Sequence, residues 1–452
     1  MKVIVSGVGK IGTAIVESLL KEKHDIVVID VDKAVIEKVT NRYDVLGYLG
    51  NGASYDVLME AGVNKCDLFI SVTSSDEFNM LACFVAKRAG AKNTVARVRS
   101  TEYNNKSFEF VKKELGINVI INPELLTAQA IYNILELPSA TNIEVFSAND
   151  TEMIELTVKE NSKVLGLPLY ELRRKFDCDF LVCIVSRNDE VYIPNGSFTL
   201  QAGDKVGVFA PKSDIGKLLK VFDLESKPVK SVIIVGAGQT ALYLAKLLSD
   251  AKTSVKLIDT NLAKCEEASK QIEKASVING DGMNQDLLLE EGIMEADAFV
   301  ALTGKDEQNV LMSVYSQGKQ VKKTVTKINR DEILDLSKSL GIESVIASKT
   351  LVADVLVRYA RALENSKESK IETLYSLWSG KAEATEFIVL PDFKHTGIPI
   401  KNLKLSKDVL IAGIIRHRET IIPCGEDVIL EGDRVIAITS GRSLIDLSDI
   451  ID

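Results

Sequence analysis

The chain has 452 residues, of which 46% are hydrophobic and 26% are charged, a composition typical of a globular protein rather than of a long disordered chain. Its formal net charge of -9 disfavours nucleic acid as the main partner, because a phosphate backbone needs a basic face. No segment approaches the roughly 18 uninterrupted apolar residues of a membrane span. Met1 and Lys2 lead straight into an apolar strand without a signal peptide, so we expect a soluble, cytoplasmic protein.

The cysteines agree with a reducing compartment. The chain has six of them, none in a C-x-x-C pair and most within apolar runs. We therefore expect buried free thiols rather than disulfides or metal ligands, and we predict no metal site.

Residues 1–137 alternate short apolar strands with helical patterns. The predicted strands are Val3–Ser6, Ile26–Ile29, Leu68–Val72 and Thr94–Val98, and the predicted helices are Thr13–Glu22, Ala34–Val39, Tyr55–Ala61 and Glu77–Ala89. Such alternation predicts a parallel sheet with helices on both faces. Pro123 then opens a longer helix, Glu124–Leu137, which ends near Pro138.

Residues 143–222 have a different pattern. Short apolar runs, Ile154–Val158, Leu181–Ser186 and Lys205–Phe209, are separated by turn residues such as Asn188-Asp189 and Gly203-Asp204. This pattern predicts a small α+β lobe.

The whole two-part unit is then repeated. Gly7 and Gly236 are 229 residues apart, and so are Asp30 and Asp259. The offset stays at 229 or 230 for further pairs: Thr73 with Thr303, Asp76 with Asp306, Arg97 with Lys327, Pro194 with Pro423, and Arg187 with Arg416. A constant offset over such a distance indicates a duplication. The second unit repeats the longer helix near Thr350–Glu364, followed by the polar stretch Asn365–Lys370.

The predicted fold class is α/β, with two Rossmann-type doubly wound parallel-sheet domains. Each is followed by a crossover helix and a small α+β lobe. We predict a first N-lobe at residues 1–138, a first C-lobe at 139–226, a second N-lobe at 227–368 and a second C-lobe at 369–452, with Glu225–Pro228 joining the two units.

A complete G-x-G-x-x-G motif stands between the first strand and the first helix, the context that dinucleotide binding requires. It comprises Gly7, Val8, Gly9, Lys10, Ile11 and Gly12. The phosphates are expected at the helix N-terminus, where free N–H groups favour anions. Asp30 ends the next strand, where a carboxylate can accept hydrogen bonds from both ribose hydroxyls. Asp30 and Asp32 would repel a 2′-phosphate, so NAD(H) or an adenosine phosphate is favoured over NADP.

The second copy of this loop is Gly236, Ala237, Gly238, Gln239, Thr240 and Ala241, with Asp259 as the ribose carboxylate. Ala241 replaces the third glycine, a change that the motif tolerates because only helix–strand packing is affected. One such motif is a weak signal, whereas two copies with the same strand, helix and carboxylate are strong. The alternative is that the glycines serve only tight turns.

Three further side chains are candidates for the first site. Thr73 and Ser74 follow a strand at its carboxyl end, where ligands bind in open α/β sheets; they could equally cap the next helix. Arg97 lies in an apolar strand and needs an anionic partner. That partner could be a phosphate or a structural carboxylate.

No catalytic residues are predicted. The chain has three histidines, His24, His395 and His417, none of them in a repeated position, and no Ser-x-x-x-Tyr-x-x-x-Lys or H-E-x-x-H arrangement. A hydride-transfer enzyme usually needs a proton donor. The pattern therefore favours a ligand-gated regulator over an NAD-dependent oxidoreductase, and a scaffold with vestigial sites is the third possibility.

Taken together these motifs resemble the TrkA family of regulatory subunits of Trk potassium-uptake systems, whose units are RCK domains. The resemblance covers the whole chain. It rests on the two glycine loops with their aspartates, on Gly50-Asn51-Gly52 and Gly280-Asp281-Gly282, on Val72–Met80 and Ala96–Ser100, and on the proline and Gly-Asp pairs of the C-lobes.

The resemblance implies a peripheral protein on the inner face of the membrane. It would form a homotetrameric ring of RCK domains on a TrkH-type potassium-translocating subunit and gate it on binding NAD(H) or ATP/ADP. The implied first-site residues are Gly7 to Ile11, Asp30, Asn51, Thr73, Ser74 and Arg97; those of the second site are Gly236 to Thr240, Asp259, Asp281 and Thr303.

The chain departs from the family pattern in ways that bear on the sites. Asn51 stands where many relatives have Asp. In the second site Lys327 stands opposite Arg97, and Gly304 stands opposite Ser74. We therefore expect the second site to be weaker or to select a different nucleotide.

Overall fold

Four sheets follow one another along the chain in the computed structural model. It describes residues 1–100, 103, 106–146, 151–188, 190–224, 228–342, 344–363, 369–378, 381–417, 419–442 and 444–451. Most of the predicted join between the units, the first part of the polar stretch after the second crossover helix, and Asp189 of the predicted turn lie outside the described residues.

The first sheet is parallel and has the strand order β3-β2-β1-β4-β5-β6, which reverses between β1 and β4. Its elements are β1 (Lys2–Ser6), α1 (Lys10–Lys21), β2 (Asp25–Asp30), α2 (Lys33–Arg42), β3 (Leu46–Leu49), α3 (Tyr55–Glu60), β4 (Leu68–Ser71), α4 (Asp76–Arg88), β5 (Asn93–Arg97), α5 (Lys106–Glu114) and β6 (Val119–Ile121). The crossover helix α6 (Pro123–Glu136) follows. This order is that of a Rossmann fold, and ligands bind in such sheets where the order reverses.

Local sequence explains these elements. All four residues of β4 are buried, as expected for a strand covered on both faces. Asn122 caps α6 by accepting a hydrogen bond from Leu125 N, with Pro123 in the first turn. Helix α1 begins at Lys10, three residues before the predicted start, because the last glycine of the loop already lies in the first helical turn.

The second N-lobe repeats this arrangement in the order β14-β13-β12-β15-β16-β17. Its elements are β12 (Ser231–Val235), α9 (Gln239–Asp250), β13 (Ser254–Asp259), α10 (Leu262–Gln271), β14 (Ala275–Asn279), α11 (Gln285–Glu290), β15 (Ala298–Ala301), α12 (Asp306–Gly318), β16 (Lys323–Lys327), α13 (Asp331–Ser339), β17 (Ser344–Ile346) and the crossover helix α14 (Ser348–Leu363). The predicted α/β class with two doubly wound sheets is confirmed.

Each C-lobe is an antiparallel sheet, with orders β10-β9-β11-β8-β7 and β18-β19-β22-β20-β21. The first contains β7 (Asn142–Val145), β8 (Thr151–Thr157), α7 (Leu169–Lys175), β9 (Leu181–Arg187), β10 (Glu190–Tyr192), β11 (Lys205–Pro211) and α8 (Ile215–Val221). The second contains β18 (Ser369–Leu377), β19 (Ala382–Val389), β20 (Val409–Arg416), β21 (Glu419–Ile421) and β22 (Arg434–Ser440). The matched arginines Arg187 and Arg416 bond Asp204 and Asp433 at 2.7 Å, a structural role in each lobe.

The two crossover helices are exchanged between the N-lobes. Ile131 and Ile134 of α6 lie in a core formed mainly by the second N-lobe. In turn, Leu356 and Ala360 of α14 lie in the core of the first N-lobe, which packs α14 against α1. One of the two cores of each N-lobe is therefore completed by a helix of the other unit, which holds the two N-lobes together.

The C-lobes also pack on each other through one apolar core, which contains Phe209 of the first lobe and Ile415 and Ile438 of the second. Gly413 lies so close to Phe209 that an added Cβ would stand 2.4 Å from the ring. Arg173 reaches across and donates to the carbonyls of Ile422 and Pro423 at 3.1 and 3.0 Å. The two units thus meet through their N-lobes and through their C-lobes.

Five cysteines are buried free thiols as expected, whereas Cys424 is an exposed free thiol, since it follows the edge strand β21 in a surface turn. Within the described parts of the chain, no helix is both long and apolar enough to cross a bilayer.

Candidate functional site

A cavity of about 1090 Å³ lies between the two N-lobes, at the carboxyl edge of both parallel sheets. Residues of both glycine loops line it, so it is a single cleft shared by the two predicted sites. The predicted residues in its lining are Gly7, Gly9, Lys10, Ile11, Asp30, Thr73, Ser74, Arg97, Gly238, Gln239 and Thr240. We call this cavity the inter-lobe cleft.

The remaining predicted residues support the cleft without lining it. They are Val8, Gly12, Asn51, Gly236, Ala237, Asp259, Asp281 and Thr303. Asn51 and Asp281 accept hydrogen bonds from Ala53 N at 2.8 Å and Met283 N at 2.9 Å, and so shape the turns after β3 and β14. A nucleotide contact by these residues stays a prediction.

The first glycine loop is closely packed at Gly7 and Gly12, whereas Gly9 faces open space. Gly7 has a φ of +90°, and an added Cβ would stand 2.8 Å from the Thr73 methyl group. A Cβ on Gly12 would stand 2.0 Å from the Gly7 carbonyl oxygen, whereas one on Gly9 would meet nothing within 4 Å. The backbone at Gly9 is therefore open to a ligand, which is the role the motif assigns to its second glycine.

The Asp30 carboxylate is oriented by the backbone. Its Oδ2 accepts from Val8 N at 2.8 Å, and its Oδ1 accepts from Asp32 N at 3.0 Å. Asp32 in turn caps α2 by accepting from Ala34 N at 2.9 Å. Each Asp30 oxygen keeps acceptor capacity toward the cleft, so the carboxylate can accept from ribose hydroxyls.

The second loop repeats this geometry. Gly236 has a φ of +106°, and an added Cβ would stand 2.9 Å from the Leu302 carbonyl oxygen. The Asp259 carboxylate accepts from Ala237 N at 2.7 Å and from Asn261 N at 2.8 Å. Gly238, like Gly9, has nothing within 4 Å of an added Cβ.

Two buried asparagines that the sequence prediction missed hold the strand ends in place. Asn79 Oδ1 accepts from Thr73 N at 2.9 Å and from the Thr73 hydroxyl at 2.7 Å, while its Nδ2 donates to Arg97 O at 3.0 Å. Asn309 makes the same set of bonds to Thr303 and to Lys327 O. Their recurrence at the repeat offset was the signal that could have identified them.

Thr73 and Ser74 are not the helix caps, since Ser75 caps α4 by accepting from Phe78 N at 3.2 Å. The Thr73 hydroxyl is turned to Asn79, and the Ser74 carbonyl accepts from Arg99. Both residues still line the inter-lobe cleft.

Arg97 has a structural carboxylate partner. Its Nη2 lies 3.1 Å from Glu124 Oε1 in the first turn of α6. Arg97 lines the cleft as well, so it is available to a ligand. The position of Arg97 is thus compatible with both partners that the sequence allows, a structural carboxylate and a phosphate.

The cleft has a positive lining in an acidic protein. Among the described residues that line it, five are basic and two are acidic: Lys10, Arg97, Arg99, Lys327 and Lys349 against Asp30 and Glu124. An enclosed surface of one charge sign concentrates ligands of the opposite sign. The cleft is therefore suited to a phosphate-bearing ligand.

Further lining residues were not among the predicted site residues, although the repeat placed Lys327 opposite Arg97. They are Ser6, Ile29, Val31, Gly50, Gly52, Val72, Ser75, Phe78, Arg99, Pro123, Glu124, Leu302, Lys327, Asn329, Ser348 and Lys349. Several come from the starts of the crossover helices, whose place beside the glycine loops depends on tertiary packing.

The fold and the cleft define a protein with two tandem Rossmann-type domains that share one cavity with a basic lining. The TrkA-N domain family matches residues 3–123 and 232–348, and the TrkA-C domain family matches residues 153–223 and 385–452. The chain belongs to the TrkA family. The Trk system potassium uptake protein TrkA homolog of Archaeoglobus fulgidus is 32% identical over 452 residues, covering 100% of both chains. TrkA of Halomonas elongata is 30% identical, covering 96% of this chain and 95% of that one.

Solved structures share the fold. The GsuK RCK domain has a TM-score of 0.64 at 17% identity and covers 97% of this chain and 92% of its own. The GsuK channel bound to NAD has a TM-score of 0.63 at 17% identity, covering 97% and 77%. GsuK bound to ADP has a TM-score of 0.50 at 14% identity, covering 80% and 69%.

Proposed function

We propose that this chain is the nucleotide-sensing regulatory subunit of a Trk-type potassium transporter or channel. Binding of NAD(H) or of ADP/ATP in the inter-lobe cleft would change how the two N-lobes sit against each other and so gate the pore. The observation that carries the proposal is the shared cleft, which is lined by Gly9 and Lys10 from one lobe and by Gly238 and Gln239 from the other.

Phosphate recognition is supported by the open backbone at Gly9 and Gly238. Both glycines immediately precede helix N-termini, where free N–H groups and the helix dipole favour anions. The basic excess of the lining adds to this preference. Asp30, with Asp32 two residues on, disfavours a 2′-phosphate, so we propose NAD(H) rather than NADP.

The relatives support potassium transport as the process and nucleotides as the ligands. The curated relatives are named as proteins of the Trk potassium uptake system. Among proteins of the same fold, GsuK has been solved bound to NAD and bound to ADP. We carry potassium transport, NAD and adenosine phosphates over to this chain as part of the proposal.

Gating by a ligand requires differential affinity. A nucleotide can shift the arrangement of the lobes only by as much as it binds one arrangement more tightly than the other. Such couplings are typically about 1–3 kcal/mol, which changes an equilibrium about 5- to 150-fold. Because the crossover helices tie each N-lobe to the other, a change at either loop acts on both lobes.

Ring assembly is supported by apolar side chains that each N-lobe exposes on matching helices. Leu81 of α4 and Leu311 of α12 are 52% and 57% exposed, and Phe110 of α5 and Leu336 of α13 are 68% and 50% exposed. Exposed apolar patches mark interaction surfaces. We propose that copies of this chain pair through these helices into a homotetrameric ring on the cytoplasmic face of a TrkH-type membrane subunit.

We also propose that the chain binds nucleotide without transforming it. Among the described residues that line the cleft there is no histidine to act as proton donor. A change in nicotinamide absorbance on incubation of NADH or NAD with candidate carbonyl or alcohol substrates would favour the oxidoreductase alternative instead.

The test combines calorimetric titration with flux. NADH, NAD, ADP, ATP and NADP are titrated into the full chain, and into Asp30→Ala and Asp259→Ala, which each remove one ribose carboxylate. Potassium flux through the membrane subunit reconstituted with this chain is then measured with each nucleotide. We expect binding of NAD(H) or adenosine phosphates, poor binding of NADP, and flux that responds to the bound nucleotide. Flux that is indifferent to every nucleotide would refute the regulatory role, and absence of binding would favour the scaffold alternative.

A further inference from the structure

The two halves of the inter-lobe cleft differ in charge at one matched pair of positions. In the first site Arg97 ends β5 and Glu124 opens α6; in the second site Lys327 ends β16 and Lys349 opens α14. A cation with a carboxylate is thus replaced by two cations. Both pairs line the same cleft.

Arg97 and Lys327 lie where the part of a nucleotide beyond its diphosphate would reach. The glycine loops follow β1 and β12, and the ribose carboxylates end β2 and β13 on one side of them. Strands β5 and β16 lie on the other side, beyond β4 and β15. We expect the aspartate to hold the ribose of a nucleotide and the loop to hold its diphosphate. The group beyond the diphosphate, a terminal phosphate or a second nucleoside, then extends toward Arg97 or Lys327.

The first site is neutralised at this point. Arg97 and Glu124 are 3.1 Å apart, with side chains only 14% and 21% exposed. Arg97 Nε and Glu124 Oε2 are buried without a hydrogen-bond partner among the described residues. The pair therefore offers one donor and one acceptor, which suits hydroxyl and amide groups, while its carboxylate opposes a further phosphate.

The other cations of the first site do not change this balance. Arg99 already bonds the Ser74 carbonyl and lies 3.4 Å from Asp76. Lys10 is exposed at the start of α1, where water screens its charge.

The second site holds a largely buried cation, Lys327, with no carboxylate in ion-pair contact among the described residues. Lys327 Nζ donates to the Leu302 carbonyl at 3.3 Å, and it forms no ion pair within the described parts of the chain. Burial lowers the pKa of Lys327, against the opposing charges of Asp306 and Glu124. Lys349, at the position of Glu124, pairs at 2.8 Å with Asp331, a side chain that is 74% exposed.

We infer that the two sites of one chain take different ligands: the first a dinucleotide, and the second a nucleoside diphosphate or triphosphate whose free terminal phosphate contacts Lys327. The buried ammonium of Lys327 needs an anion, and a terminal phosphate supplies one through a charge-assisted hydrogen bond. A dinucleotide brings ribose hydroxyls and a carboxamide to the same place, which match Arg97 and Glu124. This inference rests on the proposed function, because it assumes that both loops bind nucleotide.

The test is calorimetric titration of the full chain with ADP and with NADH, on wild type, Asp30→Ala, Asp259→Ala and Lys327→Gln. We expect Asp259→Ala to remove tight ADP binding, leaving only weak binding at the first site, and Asp30→Ala to remove tight NADH binding. Lys327→Gln should weaken ADP about tenfold or more and leave NADH within twofold, because one charge-assisted bond is lost only in the second site. Thermal unfolding of Lys327→Gln controls for folding, and we expect no loss, since the variant removes an unpaired buried charge.

Glu124→Gln in the Asp259→Ala background gives a gain of binding that a folding defect cannot mimic. Freed from its carboxylate, Arg97 should let the first site bind ADP about tenfold more tightly. The inference is overturned if ADP binding is lost in Asp30→Ala rather than in Asp259→Ala, if both ligands occupy both sites equally, or if Lys327→Gln leaves ADP affinity unchanged. If wild type binds neither nucleotide, the proposed function itself fails, and the two failures are thus distinguishable.

Discussion

Arg361 and Glu22, which are 339 residues apart in the sequence, form a two-point ion pair, with Nε–Oε2 and Nη2–Oε1 distances of 2.5 and 2.6 Å. The same guanidinium contacts Glu383 at 3.1 Å. Arg361 lies on the crossover helix α14, Glu22 follows α1 of the first N-lobe, and Glu383 lies on β19 of the second C-lobe. The buried guanidinium of Arg361 thus links the first N-lobe, the second crossover helix and the second C-lobe.

Replacing Arg361 by Leu should lower the free energy of unfolding by about 3–5 kcal/mol, because it removes the cation that Glu22 and Glu383 share in a site where the arginine side chain is only 4% exposed. Urea denaturation measures the change. Lys21→Leu is the matched control, since the Lys21–Glu17 pair is 72% and 40% exposed and should contribute less than about 1 kcal/mol. Equal effects of the two substitutions would show that Arg361 does not lock the lobes.

Gly9→Ala should spare folding and impair binding. An added Cβ at Gly9 meets nothing within 4 Å, and the backbone conformation there suits any residue, so the melting temperature should not change. The methyl group would occupy the approach path of a pyrophosphate, and loss of one such contact weakens binding about tenfold or more. Calorimetry in the Asp259→Ala background isolates the first site.

Gly12→Ala is the contrasting variant, because its Cβ would stand 2.0 Å from the Gly7 carbonyl oxygen and must displace the loop. The second copy accommodates Ala241 at the matching position, but this clash in the first copy should cost both binding and thermal stability. If Gly9→Ala bound nucleotide as wild type does, the close approach of phosphate to this loop would be disproved.

Gly413→Ala should destabilise the packing between the two C-lobes. Its Cβ would stand 2.4 Å from Cε1 of Phe209, inside the core that joins the two lobes. Overpacking of this kind costs typically about 1–3 kcal/mol, to be measured by thermal or urea unfolding. The control is Gly216→Ala in α8, where the added methyl group meets open space and a helical alanine should be neutral or stabilising.

Stability should fall as the pH rises from about 4.5 to 7 through a carboxyl group between the first C-lobe and α14. Burial raises the pKa of Glu144 from 4.5 to about 7, against the opposing effects of Arg358 and a hydrogen bond from Asn142, and Asp354 and Glu155 also face it. The folded chain therefore binds this proton more tightly than the unfolded chain does. The resulting stabilisation is complete below pH 4.5 and is lost as the pH passes 7.

Burial acts in the same direction on Asp354, whose pKa rises to about 6. Glu144→Gln should remove part of the pH dependence and should stabilise the chain at pH values above 7, where the native carboxylate is charged. Urea denaturation across the pH range, with Glu290→Gln at an exposed position as control, measures it. An unchanged pH profile in Glu144→Gln would show that Glu144 does not carry this dependence.

Much of the fold and of the site follows from local patterns in the sequence. Apolar runs such as Leu68–Ser71 specify strands that are buried on both faces, and alternation with helices specifies a parallel sheet. The spacing from Gly7 to Asp30 brings loop and carboxylate together, because both lie at the carboxyl ends of adjacent strands. Duplication of this spacing predicted two sites, and together with further motifs such as Val72–Met80 and Ala96–Ser100 it indicated the family.

Tertiary structure alone decided how the two copies are combined. From the sequence each crossover helix belongs to its own unit, yet Ile131 packs in the second N-lobe and Leu356 packs in the first. That exchange depends on the fit of apolar faces far apart in the chain, which no local spacing encodes. The same exchange of helices joins the two sites into one cleft. Lys327 and Glu124 come to line the same cavity only after the lobes have docked.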